Sequence, residues 1–200
     1  MLMRSAENLG LSREVVLRHA GLPPDTFEQE RALLTTDELF ALYRGLEKAG
    51  NDPALGLKLA TELRVEHYDP VAIAALYASS LGDALQRMAR YKKLTCPEEI
   101  RVTERANECR VQFEWLLAAN DEPELLVDVC FAWVTHIAWR GTEGAVRPKR
   151  IELARREVKR ALFEKHFGCP VKFAARGNVL VFALADLERP FVTHLSLIHI

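Results

Sequence analysis

In the first half of the chain, hydrophobic side chains recur every three or four residues, which is the period of an α-helix. The clearest case begins behind Thr35 and Glu38, which form a capping box because each side chain can satisfy the other's backbone amide. Its apolar stripe consists of Leu39, Leu42, Tyr43 and Leu46. Five helices are predicted before Pro97: over residues 11–20, after Thr35, after Asp52-Pro53, over residues 71–79 and after Ser80. Residues 71–79 are apolar on every side, which is typical of a helix at the centre of a domain.

Alternation of apolar and polar side chains replaces this pattern after Pro97, and it is clearest over residues 108–116. A period of two over this length predicts a half-buried strand, paired with the preceding alternating segment through a turn at Ala106-Asn107. Further strands are predicted at 150–154, 171–173 and 179–182, and helices at 122–140 and 157–167. The fold class is α+β, with an N-terminal helical layer followed by a mostly antiparallel sheet with two helices, in the order β-β-α-β-α-β-β. Pro97 is expected to mark a change of layer and not of domain.

Composition narrows the class of protein. The 200 residues are 49% hydrophobic and 28% charged, as in globular domains, and the net charge of −1 disfavours a globally basic nucleic-acid binder. The longest uncharged stretch, residues 70–82, is too short to cross a bilayer, and the N-terminus has no apolar signal segment. We therefore expect a cytoplasmic protein with no membrane partner.

No cofactor or metal is predicted. The four cysteines have no metal-site spacing, which fits small buried side chains in a reducing cytosol. His166 and Cys169 could form at most half of a metal site, and a helix end followed by a strand start explains them better.

No catalytic residue is predicted, because the sequence has none of the established nucleophile, phosphate-loop or metalloprotease motifs. The carboxylate pairs Glu98-Glu99 and Asp121-Glu122 lie beside structural breaks, where solvated caps are expected. We therefore predict that the chain is not an enzyme and keep a small enzyme as the less favoured alternative.

The helix predicted at 122–140 is apolar on most sides and carries two of the three tryptophans. Its simplest interpretation is a core helix; a sharper one is that part of its surface lines a ligand cavity or a dimer seam. Ligand pockets are mostly apolar with a few orienting polar groups. Trp133 and His136 on this helix, and Tyr77 in the other all-apolar helix, are therefore the predicted ligand-binding residues.

Two features bear on DNA binding. Residues 140–165 hold nine basic and four acidic side chains. We interpret them as a solvated helix face, and phosphate contact is the less favoured alternative. Residues 11–22 faintly resemble the start of a helix-turn-helix, but the first fifty residues carry more acidic than basic side chains. No DNA-binding residue is therefore predicted in this chain.

Three segments resemble motifs of AraC-type transcriptional regulators. NDPALGLKL at 51–59 is similar to the signature gDPaLGLrl, SSLGDALQRMARY at 79–91 to SsptLgeAL…l.rY, and HFGCPVKF at 166–173 with Asn178 and Leu180 to FGcPVrF…N.L.f. Together they span about residues 10–194 in the order of the subgroup with a helix-rich N-terminal regulatory domain.

The resemblance implies an effector-sensing and dimerising domain. Its implied partners are an unknown small-molecule effector, a second copy of the chain, and DNA only through a separate C-terminal domain with two helix-turn-helix motifs. A ligand-independent protein–protein interaction domain is the alternative. Since the chain is too helical for the cupin-like barrel of the arabinose sensor, the resemblance does not imply a sugar ligand.

The last six residues, 195–200, end the chain where the family continues with a polar segment. LSLIHI resembles a translated sequencing adapter and is expected to be non-native, with an apolar terminal strand as the alternative. We therefore expect one sensing and dimerisation domain over residues 1–194, without the DNA-binding domain, and set residues 195–200 aside.

Overall fold

A computed structural model describes residues 2–28, 33–61 and 70–194. In this part of the chain the helices are α1 (Leu2–Asn8), α2 (Arg13–Ala20), α3 (Thr36–Gly50), α4 (Leu55–Thr61), α5 (Pro70–Leu76), α6 (Leu81–Thr95), α7 (Glu124–Gly141) and α8 (Arg160–Phe167). The strands are β1 (Glu98–Arg105), β2 (Glu108–Trp115), β3 (Arg150–Glu152), β4 (Val171–Lys172) and β5 (Val179–Ala183). A 3-10 turn, Leu184–Glu188, follows β5. The structure thus confirms the α+β class and the predicted order after Pro97.

The predicted helix caps are present. The Thr35 hydroxyl accepts from the Glu38 amide while the Glu38 carboxylate accepts from the Thr35 amide, which closes the capping box of α3. The Ser80 side chain accepts from the Asp83 amide at the start of α6. These bonds satisfy donors that a helix start otherwise leaves without partners.

The strand order is β1-β2-β5-β3-β4, and every pair is antiparallel except the parallel pair β3 and β4. The β1–β2 hairpin turns at Ala106-Asn107, where both residues have positive φ, at 47° and 65°. This conformation matches the twist of the flanking strands. The mostly antiparallel sheet and the predicted hairpin are therefore confirmed.

The chain divides into two compact units. One comprises Met1–Leu63 with Leu117–Cys130, and the other Arg64–Leu116 with Phe131–Ile200. The first holds α1 to α4 and the start of α7, and its core includes Phe40, Leu46 and Leu55. The second holds α5, α6, α8, the sheet and the rest of α7.

One face of the sheet in the second unit is held by a charge lattice. The Arg150 guanidinium donates to both oxygens of Glu108, at 2.6 and 2.8 Å, and also to Glu152. Arg110 reaches the other oxygen of Glu152 at 3.1 Å, and Lys149 reaches Glu108 at 2.7 Å. The lattice joins β2 to β3 across β5. One of its arginines, Arg150, belongs to the basic segment 140–165, and the other, Arg110, belongs to the alternating segment 108–116.

Several sequence expectations about element limits are wrong. The helix expected over residues 71–79 ends at Leu76, and its outer face is open, with Ile73 43% exposed. The helix expected from residue 157 starts at Arg160, because Lys159 adopts a positive φ of 41° that cannot continue a helix. Helix α1 was not predicted. Leu55, Leu59 and Leu63 recur every four residues, which predicts one apolar stripe for α4. Of these, Leu63 lies outside the described residues.

Candidate functional site

Helix α7 combines a buried side with a partly open side. Val134, Ile137 and Ala138 are completely buried. Trp133 and His136 are half-buried, and Trp139 keeps 43% of its surface exposed. Two indoles and an imidazole therefore follow one another along the accessible side of a helix that is otherwise in the core.

Charged and polar groups surround the first of these indoles. The Lys92 ammonium lies 5.2 Å from the centroid of the Trp133 ring, within the range of a cation–π contact. The same Nζ lies 3.3 Å from Oε2 of Glu98, and Cys96 Sγ lies 3.4 Å from that oxygen. We call Lys92, Cys96, Glu98 and Trp133 the Trp133 cluster.

The local sequence explains how the cluster forms. Lys92 lies in the last turn of α6, Cys96 caps that helix, and Glu98 is the first residue of β1. Since side chains alternate along a strand, Glu98 lies on the same side of β1 as the buried Ile100.

Two expectations about these residues are wrong. Glu98 was expected to be a solvated cap beside Glu99, yet it has no exposed surface, while Glu99 is partly exposed and paired with Lys93. The charged positions of α6, Lys92 among them, are expected to point mostly outward from its apolar stripe, yet the Lys92 side chain is only 20% exposed. The alternation that Glu98 shares with Ile100 was the signal that could have identified it.

His136 lies one turn beyond Trp133 on the same helix. Its ring centroid is 6.3 Å from that of Trp139. Burial, followed by the charges of Arg140 and His166, lowers the pKa of His136 below its usual value. The neutral imidazole therefore has one donor and one acceptor nitrogen to offer near pH 7.

Thr135, which directly precedes His136 on α7, contributes a buried hydroxyl. Within the described ranges its Oγ1 has no hydrogen-bond partner. Buried polar groups without a partner are uncommon because each costs free energy, so this one requires an explanation.

The third predicted residue, Tyr77, does not lie on α7. It follows the end of α5, its side chain is 38% exposed, and its carbonyl oxygen lies 3.4 Å from Nδ1 of His194. The structure thus brings Trp133 and His136 together on one helix and gives Tyr77 contacts to a different segment.

Neither a metal-binding cluster nor a membrane-spanning helix is found within the described ranges. No group of three or more His, Cys, Asp and Glu side chains there is arranged to hold a metal ion. None of the described helices has the length and apolar character needed to cross a membrane.

Several side chains of the basic segment 140–165 are engaged within the fold. Arg155 stacks over Phe163 at 4.9 Å, and Arg160 stacks over Phe173 at 5.2 Å. Arg160 also pairs with Glu157. These contacts give the basic side chains structural partners and favour a structural role over phosphate contact.

The chain is similar to known transcription regulators. The family model described as the arabinose-binding domain of AraC transcription regulator, N-terminal, matches residues 10–191. Among solved structures, the crystal structure of the transcriptional regulator CdpR from Pseudomonas aeruginosa is similar, with a TM-score of 0.66 and 22% identity. That match covers 96% of this chain and 58% of that chain, and at this identity it shows a common fold. No curated protein sequence matches the chain.

Proposed function

Because the chain belongs to the family of N-terminal arabinose-binding domains of AraC transcription regulators, we propose that it senses a small organic effector at the Trp133 cluster. This family consists of transcription regulators and is not an enzyme class. The observation that carries the proposal is the cluster itself: an ammonium, a carboxylate and an indole meet on the partly accessible side of α7.

The burial of Glu98 supports a role beyond packing. Taking a carboxylate and an ammonium out of water costs several kcal/mol per ion, and their attraction often only offsets this cost. Well-packed apolar residues would serve stability at least as well. A buried charged pair is therefore weak evidence for a role in stability, and its presence here supports a role in recognition.

The side chains favour a particular chemistry of ligand. The half-buried Trp133 ring offers a flat apolar surface, while Lys92 and the neutral His136 offer polar groups close by. A small molecule with a flat or apolar body and at least one charged or hydrogen-bonding group fits this combination. The family's name does not make a sugar the expected effector.

The wider role is proposed from the family. The domain, which we place at residues 1–194, acts in the cytoplasm within a longer homodimeric regulator whose separate domain contacts DNA. The greater length of the CdpR chain supports such a second region. Trp133 and His136 are the proposed ligand contacts, and Tyr77 stays a prediction.

A single-tryptophan variant tests the proposal. Replacing Trp115 and Trp139 by phenylalanine leaves Trp133 as the one fluorescent indole. We expect at least one compound from a panel of amino acids, hydroxy acids, aromatic acids and sugars to change its emission saturably and to raise Tm. Compounds that raise Tm equally in wild type, Trp133→Phe and Lys92→Met would place the site elsewhere. No response to any compound would favour the ligand-independent interaction domain.

A further inference from the structure

We propose that residues 187–194, which follow the sheet, form a latch on the ends of α5, α6 and α7, and that the Trp133 cluster controls the position of this latch. The inference rests on the proposed function, because it describes how that site would act on the rest of a regulator. We call residues 187–194 the latch segment.

The latch segment is fixed to the end of α7. The amide of Val192 donates to the carbonyl oxygen of Gly141, the last residue of the helix, at 2.7 Å. The Phe191 ring packs directly on Gly141, where a β-carbon would stand 2.5 Å from Phe191 Cγ. Phe191 is only 4% exposed, so its ring is part of the core.

The same segment is fixed to the junction of α5 and α6. The Phe191 amide donates to the Ser79 carbonyl at 3.1 Å, and the Leu81 amide donates to the Arg189 carbonyl at 3.3 Å. The Thr193 hydroxyl donates to the carbonyl at the end of α5. Three helix ends are therefore held by one short stretch of chain.

Two of these three helices also carry the Trp133 cluster. Trp133 lies eight residues before Gly141 on α7, about 12 Å along the helix axis. Lys92 lies eleven residues after Leu81 on α6, about 16 Å along its axis. Because helices are stiff and the Gly141 contact leaves no free space, a shift of α6 against α7 at the cluster has to change the geometry at the latch.

Hydrogen exchange tests the coupling without any effector. Lys92→Met disturbs the cluster, and Lys93→Met is its matched control, since the neighbouring Lys93 makes an exposed pair with Glu99. We expect the amides of Phe191 and Val192 to exchange at least fivefold faster in Lys92→Met than in Lys93→Met. The Leu184 amide, bonded to the Asn107 carbonyl at 3.0 Å, serves as the reference and should change less. Equal rates in both variants, or an equal increase at all three amides, would overturn the latch.

The reciprocal experiment keeps the proposal testable if Lys92→Met does not fold. Coupling between two sites is mutual, so disturbing the latch must alter the cluster. In the Trp115→Phe, Trp139→Phe background we expect Phe191→Ala to shift the emission of Trp133, whereas Val192→Ala, at a side chain 59% exposed, leaves it unchanged. Unchanged emission in both variants overturns the latch, even if an effector binds at Trp133. A shift with Phe191→Ala supports the latch even if no effector is found.

Discussion

The Nζ atom of Lys92 lies 3.3 Å from Oε2 of Glu98, a carboxylate with no exposed surface. The neighbouring lysine makes the opposite kind of pair, since Lys93 lies 2.6 Å from the partly exposed Glu99. Two adjacent residues of α6 thus reach two adjacent residues of β1 in different surroundings. The Lys92 pair has a fully buried carboxylate, whereas both partners of the Lys93 pair are exposed in part.

This contrast predicts unequal costs for removing the two lysines. Lys92→Met leaves Glu98 buried without its ammonium and should lower the free energy of unfolding by about 2–3 kcal/mol, below the usual cost of a fully buried pair because Lys92 is partly exposed. Lys93→Met should cost less than about 1 kcal/mol, as for surface pairs. Urea denaturation measures both, and equal losses would contradict the buried character of the first pair.

The contact of Phe191 with Gly141 predicts that a side chain at position 141 destabilises the protein. Gly141→Ala places a methyl group against the ring and should destabilise the protein by about 1–3 kcal/mol, as overpacking does. Gly177→Ala is the control, since a β-carbon at Gly177 meets nothing within 4 Å. In the Phe191→Ala background the cost of Gly141→Ala should shrink. A cost that stays the same in that background would argue against the overlap.

The hairpin between β1 and β2 predicts a stabilising change. Ala106 adopts a φ of 47°, where a β-carbon is strained and glycine is not. Ala106→Gly should therefore raise the free energy of unfolding by about 0.5–1 kcal/mol, less than the full strain because glycine loses more entropy on folding. Ala119→Gly, at an exposed alanine with ordinary φ, should be destabilising instead. A loss of stability in both variants would refute the strained turn.

The charge lattice on the sheet predicts a pH dependence. Hydrogen bonds from Arg150 and then Lys149 lower the pKa of Glu108 from 4.5 to about 2. A lowered carboxyl pKa stabilises the fold above pH 4.5, and this stabilisation is lost as the pH falls from 4.5 towards 2. The difference in Tm between wild type and Glu108→Gln should therefore be largest near pH 6 and shrink towards pH 2.5. A difference independent of pH would show that the carboxylate charge is not responsible.

Local chemistry determined much of what the sequence predicts correctly. Three features depend on neighbouring residues alone and can therefore be predicted from the local sequence. They are the capping box at Thr35, the cap at Ser80 and the turn at Ala106-Asn107. Trp133 and His136 are predicted as ligand contacts because they place an indole and an imidazole on an otherwise apolar helix, and this stays a prediction.

What the sequence does not predict depends on distant partners. Lys92 and Glu98 look like surface charges, since only the packing of α6 on β1 buries them together. The latch was hidden for the same reason, because Gly141 and Phe191 are fifty residues apart. Helix α8 begins at Arg160 and not at residue 157 because Lys159 has a positive φ. Lysine rarely adopts this conformation, so the sequence does not predict it.

The most direct test of the effector site is the Trp133 emission titration in the Trp115→Phe, Trp139→Phe protein, repeated with Lys92→Met and Lys93→Met. We predict that a compound shifts the emission saturably, that Lys92→Met weakens its binding at least tenfold, and that Lys93→Met leaves the Kd within twofold. A compound that binds all three proteins with the same Kd, or that binds without changing the Trp133 emission, would contradict an effector site at this cluster.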